Sequence, residues 1–385
     1  MSDKVLDSIP SFCSGIDFRN YESPFINKVK QFVSKEVSPF TREWEQNKLF
    51  PEEIWTKLGQ NGLLSMTIDP NSDEEPSCLD YVLACKEIAK GDPALSMNVA
   101  AVNALCIPHI AKLGSNEQRE KYLEKAMKGE LKLAWALTEP DAGSDARRVK
   151  TLATPIEDKP GYFHLNGQKM FITNGGPSDL MIVIARTSEK ELSAFLMESN
   201  QPGIKDKERI HTIGVQASYT TSFKLDNAIA WHTPCSFEQA ISFLGRGRLG
   251  IAGMALGIAE KAFELMVEYS KQREQFNRKL SDMQSVQNMI ADSSMELEAA
   301  RLLLIKGACL YDCKEDVTEA ASMAKLYASE TANRITNRAI QVHGGRGMTF
   351  DYLVEKLWRD AKLTEIGEGC SEIQRLIISK IALKK

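Results

Sequence analysis

The sequence is short of the features that would place it outside the cell, in a membrane or on nucleic acid. It has no CxxC pair, and its cysteines, at 13, 78, 85, 106, 235, 309, 313 and 370, form no cluster with histidine. No metal site is therefore expected, and a reduced, intracellular protein fits better than a disulfide framework. Basic residues are in slight deficit, 48 against 52 acidic ones, giving a formal net charge of −4 and no reason to expect a nucleic-acid surface. The opening residues, MSDKVLDSIPSF, carry acids where a secretory leader needs bases, and no apolar run follows. No stretch reads as long enough to span a membrane. A soluble, cytoplasmic chain is the expectation.

What is present is ordinary for a globular protein. Charged residues at 26% and hydrophobic residues at 43% exclude a disordered composition, and 385 residues suffice for two or three domains. The periodicity divides the chain into a helical segment (20–130), a strand-rich segment (131–235) and a second helical segment (236–385). Ser23 followed by Pro24 is a helix-opening pair, and Phe25, Val29, Phe32 and Val33 continue it as one apolar stripe. Helices are also predicted over Pro51–Gly59, Leu79–Lys90 and Glu117–Lys128, with Asp69–Ser77 a polar loop. After Leu131 the period shortens. Asn166-Gly167 predicts a hairpin turn between Tyr162–Leu165 and Gln168–Thr173. Further runs at Leu180–Arg186, Ser193–Met197 and Thr220–Leu225 suggest a small barrel or sandwich. From Phe237 the helical period returns, and Val286, Met289, Ile290, Ser293, Leu297, Ala300 and Leu304 trace one face of a long helix in an antiparallel bundle.

Two segments carry possible chemistry. Trp135–Asp145 (WALTEPDAGSD) runs from a strand-like start into a turn that leaves the Thr138 and Ser144 hydroxyls beside backbone amides. Such groups suit the carbonyl edge of a flavin or a phosphate oxygen, and equally a plain loop that closes a strand. In Gln168–Gly176 (QKMFITNGG), Phe171 and Thr173 fall on one strand face, where an aromatic ring and a hydroxyl could meet a flat ligand. Periodicity alone would make Phe171 a core residue.

Both segments resemble the flavin-binding signatures of the acyl-CoA dehydrogenase family, and the resemblance extends from about Phe25 to Lys380. It includes Ala255–Ala259 (ALGIA), Tyr269–Gln284, Gln341–Gly347 (QVHGGRG) and Arg359–Arg375 (RDAKLTEIGEGCSEIQR). The resemblance implies an α+β fold of three domains, an N-terminal helical domain, a middle β-barrel or sandwich and a C-terminal four-helix bundle. It implies FAD as cofactor, an acyl-CoA substrate, an electron-transfer flavoprotein as partner, and a homo-oligomer, dimer or tetramer. The cofactor residues it implies are Leu137, Thr138, Gly143, Ser144, Phe171, Ile172 and Thr173, with Gln341, Val342, Gly344, Gly345, Cys370 and Glu372. Arg273 and Gln284 would reach a neighbouring subunit's FAD. Ser144, Arg248, Gly367 and Gly369 would line the thioester and CoA site. Glu368 would be the base that removes the substrate α-proton, a role in which burial raises carboxylate basicity. His343 is read as structural.

The chain departs from the family pattern in places. Phe171 stands for a frequent tryptophan, Gly245 for aspartate, Cys370 for threonine, and Gly367 for a tyrosine that many relatives carry. Asp69–Ser77 lacks a common Tyr-Gly-Gly turn. Gln216 stands for a frequent arginine, and nothing in the sequence explains it. Some relatives carry the base just before the CoA arginine, where this chain has Gly247. Other readings are the same chemistry on a carrier-protein thioester, and a flavin-bearing scaffold without turnover.

Overall fold

The computed structural model describes residues 23–69, 72 and 75–384. Cys13, the opening segment and part of the Asp69–Ser77 loop lie outside the described residues. In the first segment, helices α1 (Pro24–Phe32), α2 (Thr41–Asn47), α3 (Glu53–Gln60), α4 (Cys78–Gly91), α5 (Pro93–Ala101), α6 (Ile107–Leu113) and α7 (Asn116–Met127) follow one another. Ser23 caps α1 as its sequence predicts, its hydroxyl accepting from the Ile26 amide at 3.1 Å, with Pro24 at the first position. Ser115 and Gln118 form a reciprocal capping box at α7.

α5 and α6 join through a π-turn into one run, Pro93–Leu113, that corrects an expectation. It is long and apolar enough by composition to cross a bilayer. Its apolar window is 89% buried inside the protein, as befits a core helix that is apolar all round.

The second segment holds β1 (Leu133–Ala136), β2 (Leu152–Pro155), β3 (Tyr162–Ile172), β4 (Leu180–Arg186), β5 (Leu192–Glu198), β6 (Ile204–Arg209) and β7 (Thr221–Thr233). Their pairings close a ring, β4 to β2, β3, β7, β5 and back to β4, with β1 added on β4 and β6 on β7. The barrel reading holds, although β2 meets β4 at a single residue pair, Leu152 with Arg186. Inside the ring sits a separate apolar cluster that includes Leu165, Ile172, Val183, Phe195 and Phe223.

The expected hairpin at Asn166-Gly167 is not there. β3 runs through the pair unbroken, and its ladder with β7 skips between Leu165 and Gly167, as at a β-bulge. Gly167 is needed for closeness: a Cβ there would lie 2.5 Å from Thr151 Oγ1 on the approach to β2. Asn166 Oδ1 accepts from the Asn227 amide across the ladder at 2.9 Å. An Asn-Gly pair signals freedom from side-chain bulk, which a bulge uses as readily as a turn.

The third segment contains α8 (Phe237–Ile241), α9 (Leu244–Gln272), a hairpin of β8 (Glu274–Gln275) and β9 (Arg278–Lys279), then α10 (Gln284–Asp312), α11 (Thr318–His343), α12 (Val354–Ile366) and α13 (Ser371–Ala382). α10 runs back antiparallel to α9 and packs on both α9 and α11, which also pack directly on each other. A Cβ on Gly307, late in α10, would meet Leu249 near the start of α9. At the far end, Tyr269 of α9 stacks on His343 of α11 with centroids 4.1 Å apart. Val286, Ser293, Leu297, Ala300 and Leu304 are buried, as the helical stripe predicts. One apolar core runs continuously through the helices of the first and third segments.

Candidate functional site

The site grows from the link between α12 and α13. α12 ends at Ile366 with Gly367 as its cap, and the chain then reverses through Glu368 at φ +55 and Gly369 at φ +87. A left-handed glutamate costs about 1–2 kcal/mol, a strain that only a fixed surrounding sustains. The surrounding is visible. Gln374 Nε2 donates to the carbonyls of Glu368 at 3.3 Å and Gly369 at 2.8 Å, and Lys325 Nζ of α11 donates to the Gly369 carbonyl at 2.8 Å.

This turn aims the Glu368 carboxylate at the start of α9. A Cβ at Gly247 would stand 2.8 Å from Glu368 Oε2 and 3.7 Å from Leu105 Cδ2. Oε2 is buried and accepts no hydrogen bond among the described residues. Burial pushes the carboxyl up to about 7, against the opposing pull of Arg248 and, more weakly, Lys325. Burial pulls the Arg248 guanidinium down while Glu368 supports it, and its Nε is also buried without a partner. Burial pulls Lys325 down to about 8. A poised base, two cations and unsatisfied polar atoms together make a site that awaits a polar ligand.

The strand segment delivers its loop to the same place. Ser144 Oγ lies 3.7 Å from Cys370 Sγ, and Cys370 stands at the start of α13 without capping it through its side chain. The loop is anchored by a buried pair that sequence reasoning missed. Lys169 Nζ donates to Glu139 Oε1 at 2.8 Å and to the carbonyls of Leu137 at 3.0 Å and Ile184 at 2.7 Å. Burial works against ionised Glu139, but Lys169 and the Thr151 and Lys150 donors hold its carboxyl below the usual range. Met170 N also donates to the Thr138 carbonyl at 3.0 Å, so Thr138 and β3 are held together.

Phe171, the penultimate residue of β3 and within its irregular end, sits at φ +57 and is 55% exposed, while Ile172 turns into the barrel core. A large ring held outward in a strained backbone suits a flat ligand. The Ile172 side chain does not reach that face. Thr173 is half-buried beside it.

The remaining expected residues lie elsewhere. Arg273 caps the end of α9, Gln284 opens α10, Gln341 lies in the last turn of α11, and Gly344 and Gly345 follow it in a short 3-10 turn. Gln284, Gln341, Gly344 and Gly345 are exposed, and a Cβ on either glycine would meet nothing within 4 Å. Val342 is buried and could offer only its backbone. At ~1.5 Å per helical residue, Arg273 is roughly 37 Å along α9 from Arg248, and Gln341 roughly 24 Å along α11 from Lys325. One chain therefore does not bring the two groups of residues together. His343 is buried, its Nδ1 lies 2.8 Å from the Ala339 carbonyl, and burial lowers its pKa. It is part of the core.

Sequence reasoning also missed Lys325 and Gln374. The signal for Lys325 was a lysine on the buried stripe of Ala321, Ala324, Ala328 and Ala332. Gln374 gave none.

Three family models match the chain, described as acyl-CoA dehydrogenase N-terminal domain (residues 22–130), middle domain (134–228) and C-terminal domain (237–383). A 3-(aryl)acrylate reductase of Clostridium sporogenes is 36% identical over 366 residues, covering 92% of this chain and 96% of that protein. The structure of butyryl-CoA dehydrogenase from Megasphaera elsdenii superposes with a TM-score of 0.89 at 33% identity, covering 96% of this chain and 98% of the other. A glutaryl-CoA dehydrogenase from Mycobacterium smegmatis in complex with FADH2 gives a TM-score of 0.89 at 29% identity, covering 96% and 95%.

Proposed function

The chain belongs to the acyl-CoA dehydrogenase family, and from that premise we propose that it dehydrogenates an acyl-CoA thioester to the 2-enoyl-CoA, with Glu368 as the base. The observation that carries the assignment is the Glu368 carboxylate itself. It is strained into place, its Oε2 is buried without a donor, and its proton affinity is poised near neutrality. A thioester α-proton is weakly acidic, so its removal needs a desolvated carboxylate of this kind.

The residues present fit FAD. The outward Phe171 ring offers a stacking surface, and half-buried Thr138 and Thr173 supply hydroxyls on the adjoining segments. The open backbone at Gly344 and Gly345, at the same end of the bundle as Arg273, would admit close approach by a neighbouring subunit's cofactor. Arg273 and Gln284 would serve a neighbouring subunit's cofactor, because their own active-site residues are too far along the bundle. When bound, FAD supplies the acceptor for the β-hydride, and an electron-transfer flavoprotein is the partner that receives the electrons. Arg248 offers a planar cation beside the base for the CoA end of the substrate. The side chain of Glu368 takes the α-proton, and the exclusion of water around Oε2 keeps its basicity.

The 36% identity to a 3-(aryl)acrylate reductase favours a second reading, in which the same residues run the reverse reduction of a 2-enoyl thioester and Glu368 returns the proton. The test is anaerobic titration of the FAD-loaded enzyme with straight, branched and aryl acyl-CoAs, and of the reduced enzyme with the matching enoyl-CoAs. Bleaching by a saturated acyl-CoA supports dehydrogenation. Reoxidation by enoyl-CoA alone supports the reverse direction. No response to any thioester would overturn both.

A further inference from the structure

Lys325 is among the largest fully buried side chains of the protein. A lysine in that position is costly unless paired. Among the described residues it forms no ion pair, and its hydrogen bond goes to a carbonyl, that of Gly369. It therefore spends a buried charge on the residue directly after Glu368, at a turn where both residues have positive φ. We infer that Lys325 is a positioning residue for Glu368, tethering the strained turn through the Gly369 carbonyl and lending it a fixed positive charge that favours the ionised base.

Two functions are combined here, and neighbours separate them. Gln374 shares the tether, donating to the same carbonyl at 2.8 Å, but is neutral. Arg248 of α9 shares the charge but makes no bond to the turn among the described residues. Tyr81 of α4 and Cys106 of the π-turn before α6 also lie within electrostatic reach of Glu368. Burial pushes both of their pKa values far up, so both stay neutral at working pH and leave the balance to the two cations. Glu365 and Cys370, flanking the turn, act on Lys325 and support its charge. Burial brings Lys325 down to about 8, so it is still largely charged at neutral pH.

The inference rests on Glu368 being the base, and the experiment keeps the two apart. The protonation of Glu368 is followed by infrared difference titration of the FAD-loaded enzyme, as the carboxylic C=O band that Glu368→Gln removes. The pH profile of anaerobic flavin reduction is measured in parallel. Lys325→Met is expected to raise the Glu368 midpoint by about one pH unit, lowering reduction below that midpoint about tenfold. Lys325→Gln, which keeps a donor but no charge, should shift the midpoint alike and carries the test if the Met variant does not fold. Lys325→Arg should restore the midpoint. Gln374→Met should lower the rate at every pH without moving it. An infrared midpoint unchanged in both neutral Lys325 variants would overturn the inference. A shifted infrared midpoint in an enzyme that no acyl-CoA reduces would leave Lys325 as the charge beside Glu368 and overturn the dehydrogenase reading instead.

Discussion

Gly247 and Glu368 face each other so closely that α9 passes the carboxylate with only a hydrogen between them: a Cβ at 247 would lie 2.8 Å from Oε2 and 3.3 Å from Cδ. Position 247, where some relatives carry their base, is here the space that the Glu368 carboxylate occupies.

Gly247→Ala should therefore separate stability from activity. Alanine in a helix interior gains about 0.5–1 kcal/mol over glycine, so Tm should hold or rise. The displaced carboxylate should slow anaerobic flavin reduction by about 10- to 100-fold, since errors of ~1 Å have that effect. Melting curves and stopped-flow absorbance check both. An unchanged reduction rate would place the working carboxylate elsewhere.

Glu368→Gln should keep FAD and abolish reduction by substrate, a loss on the order of 10²–10⁴-fold for a positioned base. In the wild type the rate should climb with pH through about 7, because only the ionised form accepts a proton. Stability should run the other way. The folded pKa lies above the ordinary value of 4.5, so the carboxyl's contribution is complete below ~4.5 and is lost as pH rises through 7. Glu368→Gln should then exceed the wild type in Tm above pH 7, by the equivalent of roughly 1–3 kcal/mol, and match it near pH 4.5. Parallel Tm–pH curves would contradict a buried, strained carboxylate.

Gly367 does not need to be glycine for its backbone. Its φ is −65 and ψ 154, and a Cβ would find its nearest neighbour, the Leu363 carbonyl, at an ordinary 3.6 Å. The absent side chain leaves open space next to Leu363, one residue before the proposed base, which on the proposed reading suits branched, cyclic or aryl acyl groups. Gly367→Tyr should cut kcat/KM for a branched or aryl acyl-CoA relative to a straight one by about tenfold or more, at ~1–3 kcal/mol per group of lost fit. If the ratio does not move, the wide-pocket reading fails.

Arg273 sits at the opposite end of α9 from Arg248, beside an 88%-exposed Phe276 on the β8–β9 hairpin. Arg273→Ala should lower FAD occupancy and weaken subunit association together, since a cofactor bound across an interface links the two equilibria. Flavin-to-protein absorbance ratios and sedimentation velocity report each. A variant with full FAD and an intact oligomer would show that Arg273 serves neither.

The sequence by itself determined what acts over a few residues. The Ser23 and Pro24 opening, the α10 stripe and the α4 and α7 spans follow from capping and 3.6-residue periodicity, which neighbours in the chain enforce. The motif at Arg359–Arg375 pointed to Glu368, but only through resemblance; a glutamate between two glycines is locally unremarkable. Tertiary structure decided the rest. Whether Asn166-Gly167 turns or bulges depended on Thr151, a residue 16 positions away from Gly167. Whether Glu368 is a surface acid or a poised base depended on Gly247, Arg248 and Lys325, brought from two other helices. Desolvation and charge act through space and fall off within several ångströms, so the chemistry of this carboxylate is a property of packing.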